Sequence, residues 1–464
     1  MDILEIIGGG RDAGNIIADL KQKQIDIPDW STLLKQYEPT LHEIVNDTTA
    51  RRDKVRKDGV VEKASRIHIG LEQLLVKRFT EFTCAIPIKR IYHNTEDNEV
   101  RQQIAKAIEA IYKYARIDSH NKKRLENYFA SCEVNTLWYL VESPNTLYGF
   151  NSQYKLKCKT FSPMDGVDLY PLFDEMGDMI AMSMEYKTKV GDAEVLNFET
   201  FTADHHYRWK LQGAGWDKVV DEKISIGKIP CSYLYRPVPV YHGLSHIREE
   251  IEYTLSRNSD VIAYNSAPIL KIVGGMQGAE AKGEEKRIYR VENGGDVGYV
   301  SWAQAIEALK YHVETLTNLF WTQSQMPDIS FSNMRSLGNI GYDARQTLLT
   351  DAHLRIGDES GAIIEMLERE CNVIKAILKE MNKAWEKEID NVEIEHVITP
   401  FIQNDEKAEI DKWVNACGGK AIVSQLDAIR YFGASTDPER TLEQIQEEEG
   451  LRQNQMNDIF EGSI

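Results

Sequence analysis

Two apolar stripes at helical spacing, on either side of a short glycine-rich excursion, constrain this chain more than any other feature. Leu244, Ile247, Ile251, Thr254 or Leu255, Asn258 and Ile262 recur every three or four residues, the period of one helix face. Ile306, Leu309, Val313, Leu316 and Phe320 step the same way, as a heptad-like seam. Pro268 and the Gly274-Gly275 pair stop the first helix. Residues 268–300 are predicted to hold two short strands, Ile269–Val273 and Arg287–Val291. The second helix is predicted from Trp302 to Gln325, with Pro327 as its stop. Two isolated helices cannot bury such stripes within one subunit. Ile306, Leu309, Val313 and Leu316 are therefore expected to pack partly against neighbouring copies. Head-to-tail contacts that close on themselves make a ring.

The rest of the chain reads as α+β with more than one domain, since 464 residues exceed one ordinary core. Residues 1–58 read as polar helix and 60–140 as helices broken by an extended piece at Cys84–Tyr92. Residues 141–242 read as antiparallel β, with turns at Asp165-Gly166, Met176-Gly177 and around Gly213. The longest helix is predicted from Tyr342 to Glu386, with Leu348, Ala352, Ile356, Ile363, Leu367, Ile374, Leu378 and Met381 on its apolar face. Gly357 and Gly361 mark a candidate kink in it. A strand over Val392–Thr399 follows, then small helices and an acidic stretch from Asp437-Pro438. The last residues are polar and expected to fray.

Charge and cysteine usage narrow the function. Lys and Arg number 55 against 73 Asp and Glu, a net charge of −18. That argues against tight, stationary nucleic-acid binding, which needs a basic footprint. It does not exclude a protein past which a nucleic acid must slide, because repulsive walls prevent sticking. The six cysteines are scattered without a C-x-x-C pair, so neither disulfides nor a zinc site is expected, and a reducing cytoplasm fits. No apolar run reaches the length of a membrane span. Arg51, Arg52, Lys54, Arg56 and Lys57 put five positive charges in seven residues. A solvated helix face is the expectation there, and phosphate contact the alternative.

Enzyme motifs are present only in fragments. Gly8-Gly9-Gly10-Arg11-Asp12-Ala13 fits the G-x-G-x-x-G/A fingerprint, but a dinucleotide site also needs a βαβ unit. A turn is expected instead. Asp204-His205-His206 spells the D-H-H of metal-dependent phosphoesterases, the alternative function for this chain. Its surroundings read as a hairpin, and adjacent residues of a strand point to opposite faces. The glycines at 274, 275, 278 and 283 lack the G-K-[ST] ending of a phosphate loop. No catalytic residue, metal or cofactor is expected.

The order of elements, and the residues filling them, resemble portal proteins of long-tailed phages. Lys228-Ile-Pro-Cys-Ser-Tyr-Leu-Tyr-Arg-Pro-Val-Pro239 resembles the strand entering the stem of that family, and Ser245 to Asn265 its first stem helix. Ala267-Pro-Ile-Leu-Lys-Ile-Val-Gly-Gly275 is similar to the first clip strand. Leu309 to Asp328 is similar to the second stem helix and its exit. Gly338-Asn-Ile-Gly-Tyr-Asp-Ala-Arg-Gln346 sits where these proteins begin their long helix, with Gly341-Tyr342 where a Ser-Gly pair is common. Ser162 to Ala181 resembles the wing, and Phe401 to Arg440 the approach to the crown. The resemblance spans roughly residues 60–450.

It implies a fold with α-helical stem, small β-containing clip, mixed α/β wing and helical C-terminal crown. The implied segments are a helical arm (1–59), wing (60–242), first stem helix (243–265) and clip (266–301). Then come the second stem helix (302–326), channel loop (327–341), long wing helix with returning strand (342–403), and crown with acidic tail (404–464). It implies a ring, typically of twelve, around a double-stranded DNA channel at the capsid vertex of a virion assembled in the host cytoplasm. The partners implied are the major capsid protein, terminase and a head–tail adaptor, with no membrane. The clip would dock partners through Lys282, Glu284, Lys286 and Arg287. The polar loop from Asp328 to Gly341 carries one cation, Arg335, against one acid, Asp328. Asn333, Arg335, Ser336 and Asn339 are its expected DNA-facing residues, and Phe331 its anchor.

Overall fold

A computed structural model describes residues 6–7, 10–55, 57–191, 193–213, 215–265, 269–274, 276–281, 287–291, 294–300, 306–329, 347–401, 406–418, 421–432 and 438–461. They fall into two compact units, Met1–Asp328 with Asp351–Phe401, and Ile329–Thr350 with Ile402–Ile464. The fold is mixed α and β.

The first unit opens with short helices α1 (Ala13–Leu20), α2 (Trp30–Tyr37) and α3 (Glu43–Asn46), then a two-stranded hairpin of β1 (Lys54–Val55) and β2 (Val61–Glu62). The basic run at 51–57 is therefore bend and hairpin, where a helix face was expected. Asp12 starts α1 by accepting from the Gly14 amide at 3.0 Å. The buried face of α1, Ile16, Ile17 and Leu20, packs against Leu172, Phe198 and Trp209 of an antiparallel sheet. Gly10 and Arg11 thus lead into a covering helix rather than a βαβ unit, while Gly8 and Gly9 lie outside the described residues.

Next come α4 (Leu71–Cys84), β3 (Lys89–His93), α5 (Glu99–Ala115) and α6 (Ile117–Ser131). Asn98 caps α5 through Val100 and Arg101, and Arg116 closes it with φ 56°. Ile104, Ala107, Ile108, Ile111 and Tyr112 form its buried face.

The β region begins at Glu133, earlier than the composition change near 141 suggests. β4 (Glu133–Asn145), β5 (Ser152–Phe161) and, further on, β11 (Cys231–Tyr235) make a sheet of order β11-β4-β5. Between them β6 (Val167–Phe173), β7 (Met179–Val190), β8 (Ala193–Thr202), β9 (His205–Gln212) and β10 (Gly215–Lys223) form an antiparallel meander. The strands β6, β7 and β8 bury residues on both faces with period two, while the edge strand β10 is mostly exposed. Ala181 and Phe198 face the α1 side, while Met182, Met184 and Phe201 face the other sheet.

Then follow α7 (Ser245–Asn265), β12 (Ile269–Val273), β13 (Met276–Ala281), β14 (Arg287–Val291), β15 (Asp296–Val300) and α8 (Ile306–Ser324). The excursion holds four strands where two were expected. β12 pairs antiparallel with β15, and β13 with β14 between them. The two added strands, 276–281 and 296–300, contain glycine and alternate too weakly to read as strands.

α9 (Thr350–Met381) ends short of the expected Glu386, residues 342–346 of the expected span lie outside the described residues, and Leu348 is exposed rather than core. It runs unbroken through Gly357 and Gly361. Asn382 ends it by starting a 3-10 turn. Val373, Ile374, Ile377 and Leu378 join α5, Trp138, Leu156 and Trp385 in one apolar core. β16 (Glu393–Val397) then pairs with β3.

The second unit contains α10 (Glu406–Cys417), α11 (Gln425–Phe432) and α12 (Pro438–Glu461). Proline starts α12, where a missing N–H costs nothing, and the polar tail stays helical to Glu461.

Candidate functional site

The helix pair α7 and α8, with the strands between them, is the part of the first unit that the sequence singled out, and the two helices pack against each other. The apolar stripe predicted on α7 is only partly its buried face. Leu244 and Ile251 are buried, but Ile262 is 58% exposed. The rest of the buried face is polar: Arg248, Glu252, Thr254 and Ser256.

These polar residues meet an extended segment that runs along the helix. Ile69 N donates to Glu252 Oε1 at 2.8 Å, Ile67 N to Ser256 Oγ at 2.8 Å, and Ser65 N to Asp260 Oδ1 at 2.9 Å. Two extended residues advance about 6.6 Å and four helical residues about 6.0 Å. Every second amide of the segment therefore meets every fourth side chain of the helix. The helix replaces a β partner with side-chain oxygens, and the segment's amides are satisfied.

Buried ion pairs lock this ladder. Arg248 bonds Glu72 and Glu252, each at 2.9 Å. His42 Nδ1 lies 2.7 Å from Glu252, and Nε2 lies 3.0 Å from the Gln36 carbonyl oxygen. Burial raises the pKa of Glu252, but hydrogen bonds with His42 and Ile69 and the charge of Arg248 outweigh it and hold the carboxyl below its ordinary range. Arg51, buried, pairs with Asp260 at 2.5 Å and bonds the Ser65 carbonyl. Sequence reasoning missed this seam because it searched for apolar periodicity. The four-residue spacing of Glu252, Ser256 and Asp260 was the available signal.

On α8, Leu309, Val313 and Leu316 are half-buried in the single chain, and Phe320 is fully buried. Tyr311 at 72% and Leu319 at 41% stay exposed. Ile306 is the first residue of α8, and its side chain lies outside the described residues. Arg287 opens β14 opposite Ala281. Lys282, Glu284 and Lys286 lie outside the described residues, as do Phe331, Asn333, Arg335, Ser336 and Asn339.

Asp204, His205 and His206 form the expected hairpin corner. His206 stacks on Phe201 at 4.4 Å and bonds Glu199 at 2.6 Å. His205 stacks on Tyr207, on the other face of the sheet. The two imidazoles thus cannot chelate together. Asp204 and His205 line a groove of about 770 Å³ with Arg369 and Asn372 of α9. Among the described residues, no group of three or more His, Cys, Asp or Glu could hold a metal ion. No described helix is long and apolar enough to cross a membrane.

A family model described as phage portal protein, SPP1 Gp6-like, matches residues 18–455. That span takes in most of the N-terminal segment that the sequence motifs leave unassigned. Among solved structures, the chain is similar to one from the neck of an empty GTA particle computed with C6 symmetry. Identity is 11% and TM-score 0.41, over 93% of this chain and 98% of that one. It is also similar to one from the neck of a native GTA particle computed with C12 symmetry, at 10% identity and TM-score 0.40, over 90% and 98%. A third, from the virion of a native gene transfer agent particle, gives 10% and 0.35, over 92% and 99%. No curated protein matches the chain.

Proposed function

Because this chain belongs to the phage portal proteins of the SPP1 Gp6-like family, we propose that it forms a ring, of twelve copies, around a channel for double-stranded DNA. Its role is that of a phage portal protein. In our reading α7 and α8 are the stem, residues 266–301 the clip, residues 60–242 with 342–403 the wing, and residues 404–464 the crown. The ring sits at the capsid vertex, meets the major capsid protein through the wing, and presents the clip first to terminase and then to a head–tail adaptor. Assembly takes place in the host cytoplasm. The work is geometric rather than catalytic: a channel wall, a packing interface and a docking rim.

One observation supports the ring most directly. α8 keeps Leu309, Val313 and Leu316 half-buried, and Leu319 exposed, after the subunit has folded. Apolar area left in water is worth about 25 cal/mol per Å² when a neighbour covers it. Repeated around a closed ring, that contact is made by every subunit. Arg335, repeated in the same way, would put a belt of positive charge in an acidic tube. Its attraction to phosphate would be screened within about 8–10 Å at physiological salt, which suits sliding.

The test is negative-stain imaging and native mass of the purified protein. Wild type is expected as rings of order half a megadalton or more, and Leu309→Asp with Val313→Asp as single subunits. Normal rings from that double variant would remove the α8 interface. Arg335→Glu is expected to assemble normally and to reduce the DNA packaged or retained. Deleting residues 277–284 is expected to spare the ring and abolish terminase or adaptor binding.

A further inference from the structure

The basic segment at residues 51–66 has a built surface that the portal reading leaves unused. Residues 54–55 and 61–62 form the β1–β2 hairpin, in which Lys54 pairs with Glu62 and Val55 with Val61. Adjacent strand residues face opposite ways, so the charged pair and the valine pair lie on different sides. The charged side lines a groove of about 920 Å³ between the hairpin and α7. Arg52, Lys54 and Lys63 enter that groove from the segment, and Arg257 from the helix. All four are exposed. Among the described residues, none of the four is in a salt bridge.

The acids of the groove are already engaged. Asp53 holds Arg66 at 3.0 Å and the Ala64 amide at 3.0 Å. Asp260 holds Arg51 and the Ser65 amide. Both carboxylates sit below their ordinary pKa. The Asp260 bonds fasten the segment to α7. Glu62 lies opposite Lys54, Asp53 acts on Lys63, and Arg257 lies over the Tyr253 ring at 5.8 Å, yet the groove keeps an excess of positive charge: Arg51, Arg52, Lys54, Lys63 and Arg257 against Asp53, Glu62 and Asp260. In a chain of net charge −18, such a cluster marks a specific polyanion contact. Cations lining one groove suit phosphates along a duplex backbone, which carry no base information.

We propose that this groove grips the phosphate backbone of double-stranded DNA through Arg52, Lys54, Lys63 and Arg257, independently of the 327–341 loop. The proposal rests on the portal reading for the presence of DNA. It adds a second contact, on the flank of the first stem helix.

The experiment titrates the full-length assembled protein against a fluorescent 30-base-pair duplex at 50–200 mM NaCl. Four phosphate contacts give a logarithmic salt slope of about −3.6, so affinity falls roughly a hundredfold across that range. Replacing all four cations with Gln is expected to remove most of the slope and to weaken binding at least tenfold at 50 mM. Lys54→Gln with Lys63→Gln is expected to remove about half the slope. Arg335→Gln serves as the comparison and is expected to keep most of it. A fourfold variant that is folded by circular dichroism and binds like wild type would overturn the groove. So would wild type that fails to bind the duplex, or one that binds polyglutamate in preference to it, since that points to an acidic protein partner. Failure of the portal reading shows separately, as absence of rings in negative stain, because duplex binding is measurable on single subunits too.

Discussion

α9 and α7 are both long helices clamped along one face; apolar packing dominates on α9, where Glu370 makes a buried ion pair with Arg124, while polar bonds dominate on α7. α9 spans 32 residues and buries Ile356, Ile363, Met366 and Leu367, with Val373, Ile374, Ile377 and Leu378 in an apolar core and Glu370 as the buried charge. α7 spans 21 residues and buries Arg248, Glu252 and Ser256 against backbone amides and a second glutamate. Apolar packing rewards area and tolerates small displacements. A ladder of oxygens at four-residue steps against amides at two-residue steps admits one register. The helix of the central core is fixed by burial; the helix that leads into the β excursion is fixed by position. Buried polar groups are retained in some proteins for specificity rather than stability, and we read the α7 seam in that way.

Removing Arg248 should break this contrast most sharply. Its side chain is 2% exposed, and the carboxylates it joins, Glu72 and Glu252, are fully buried. Arg248→Met leaves two acids together without a cation. The expected cost is about 3–5 kcal/mol, read as a shift in the urea midpoint. Ile374→Val on α9, also fully buried, is expected to cost about 1 kcal/mol. Equal, small effects from the two variants would show that the ionic seam carries no special weight.

The same contrast explains what was legible in the sequence. α5, α8 and the core of α9 carry apolar residues at helical spacing, and the meander alternates with period two, so their existence followed from the pattern. The α7 helix was legible too, but its partner was not. Glu252, Ser256 and Asp260 have meaning only when the amides of residues 65, 67 and 69 lie beside them, nearly two hundred residues away in sequence. Arg51 misled for the same reason: in the sequence it is one cation of five, in the fold it is a buried strut. The D-H-H triplet resolved correctly because strand alternation is a local rule. Of the expected DNA-facing and docking residues, only Arg287 lies within the described residues, and for it the fold gives a strand position alone.

Burial without pairing gives a second, smaller test. Glu133 is 5% exposed, and burial pushes its carboxyl up to about 7 from an ordinary 4.5, against a hydrogen bond from the Tyr233 hydroxyl at 2.7 Å. His396 is 5% exposed with neither ring nitrogen bonded, and burial lowers it to about 4 from 6.5. The signs oppose. Native Glu133 keeps a proton that the unfolded chain has released, so its contribution falls as pH rises from 4.5 to 7. Native His396 refuses a proton that the unfolded chain takes, so its contribution falls as pH drops from 6.5 to 4. Each is worth at most about 3 kcal/mol, and between pH 5 and 6.5 the slopes nearly cancel. Glu133→Gln is expected to make stability climb with pH there, and His396→Phe to make it fall. Urea midpoints at pH 5, 6 and 7 decide it. Variant profiles parallel to wild type would mean that neither group feels its burial.

The smallest expected effect carries the opposite sign and lies on α9. Gly357 and Gly361 are exposed in the middle of an unbroken helix, and a Cβ at either meets nothing within 4 Å. Neither has the positive φ that only glycine tolerates at low cost. Within the subunit, then, no steric reason requires glycine, while each pays backbone entropy that alanine does not. Gly357→Ala and Gly361→Ala are expected to stabilise the subunit by about 0.5–1 kcal/mol each. The two sites are one helical turn apart on the same exposed face, and with little coupling the double variant should approach the sum. A thermal midpoint that rises by a few degrees agrees with a helix held by its far, buried side and indifferent to this one. An unchanged or lowered midpoint would mean that α9 depends on its exposed face as well, and would narrow the difference between the two helices.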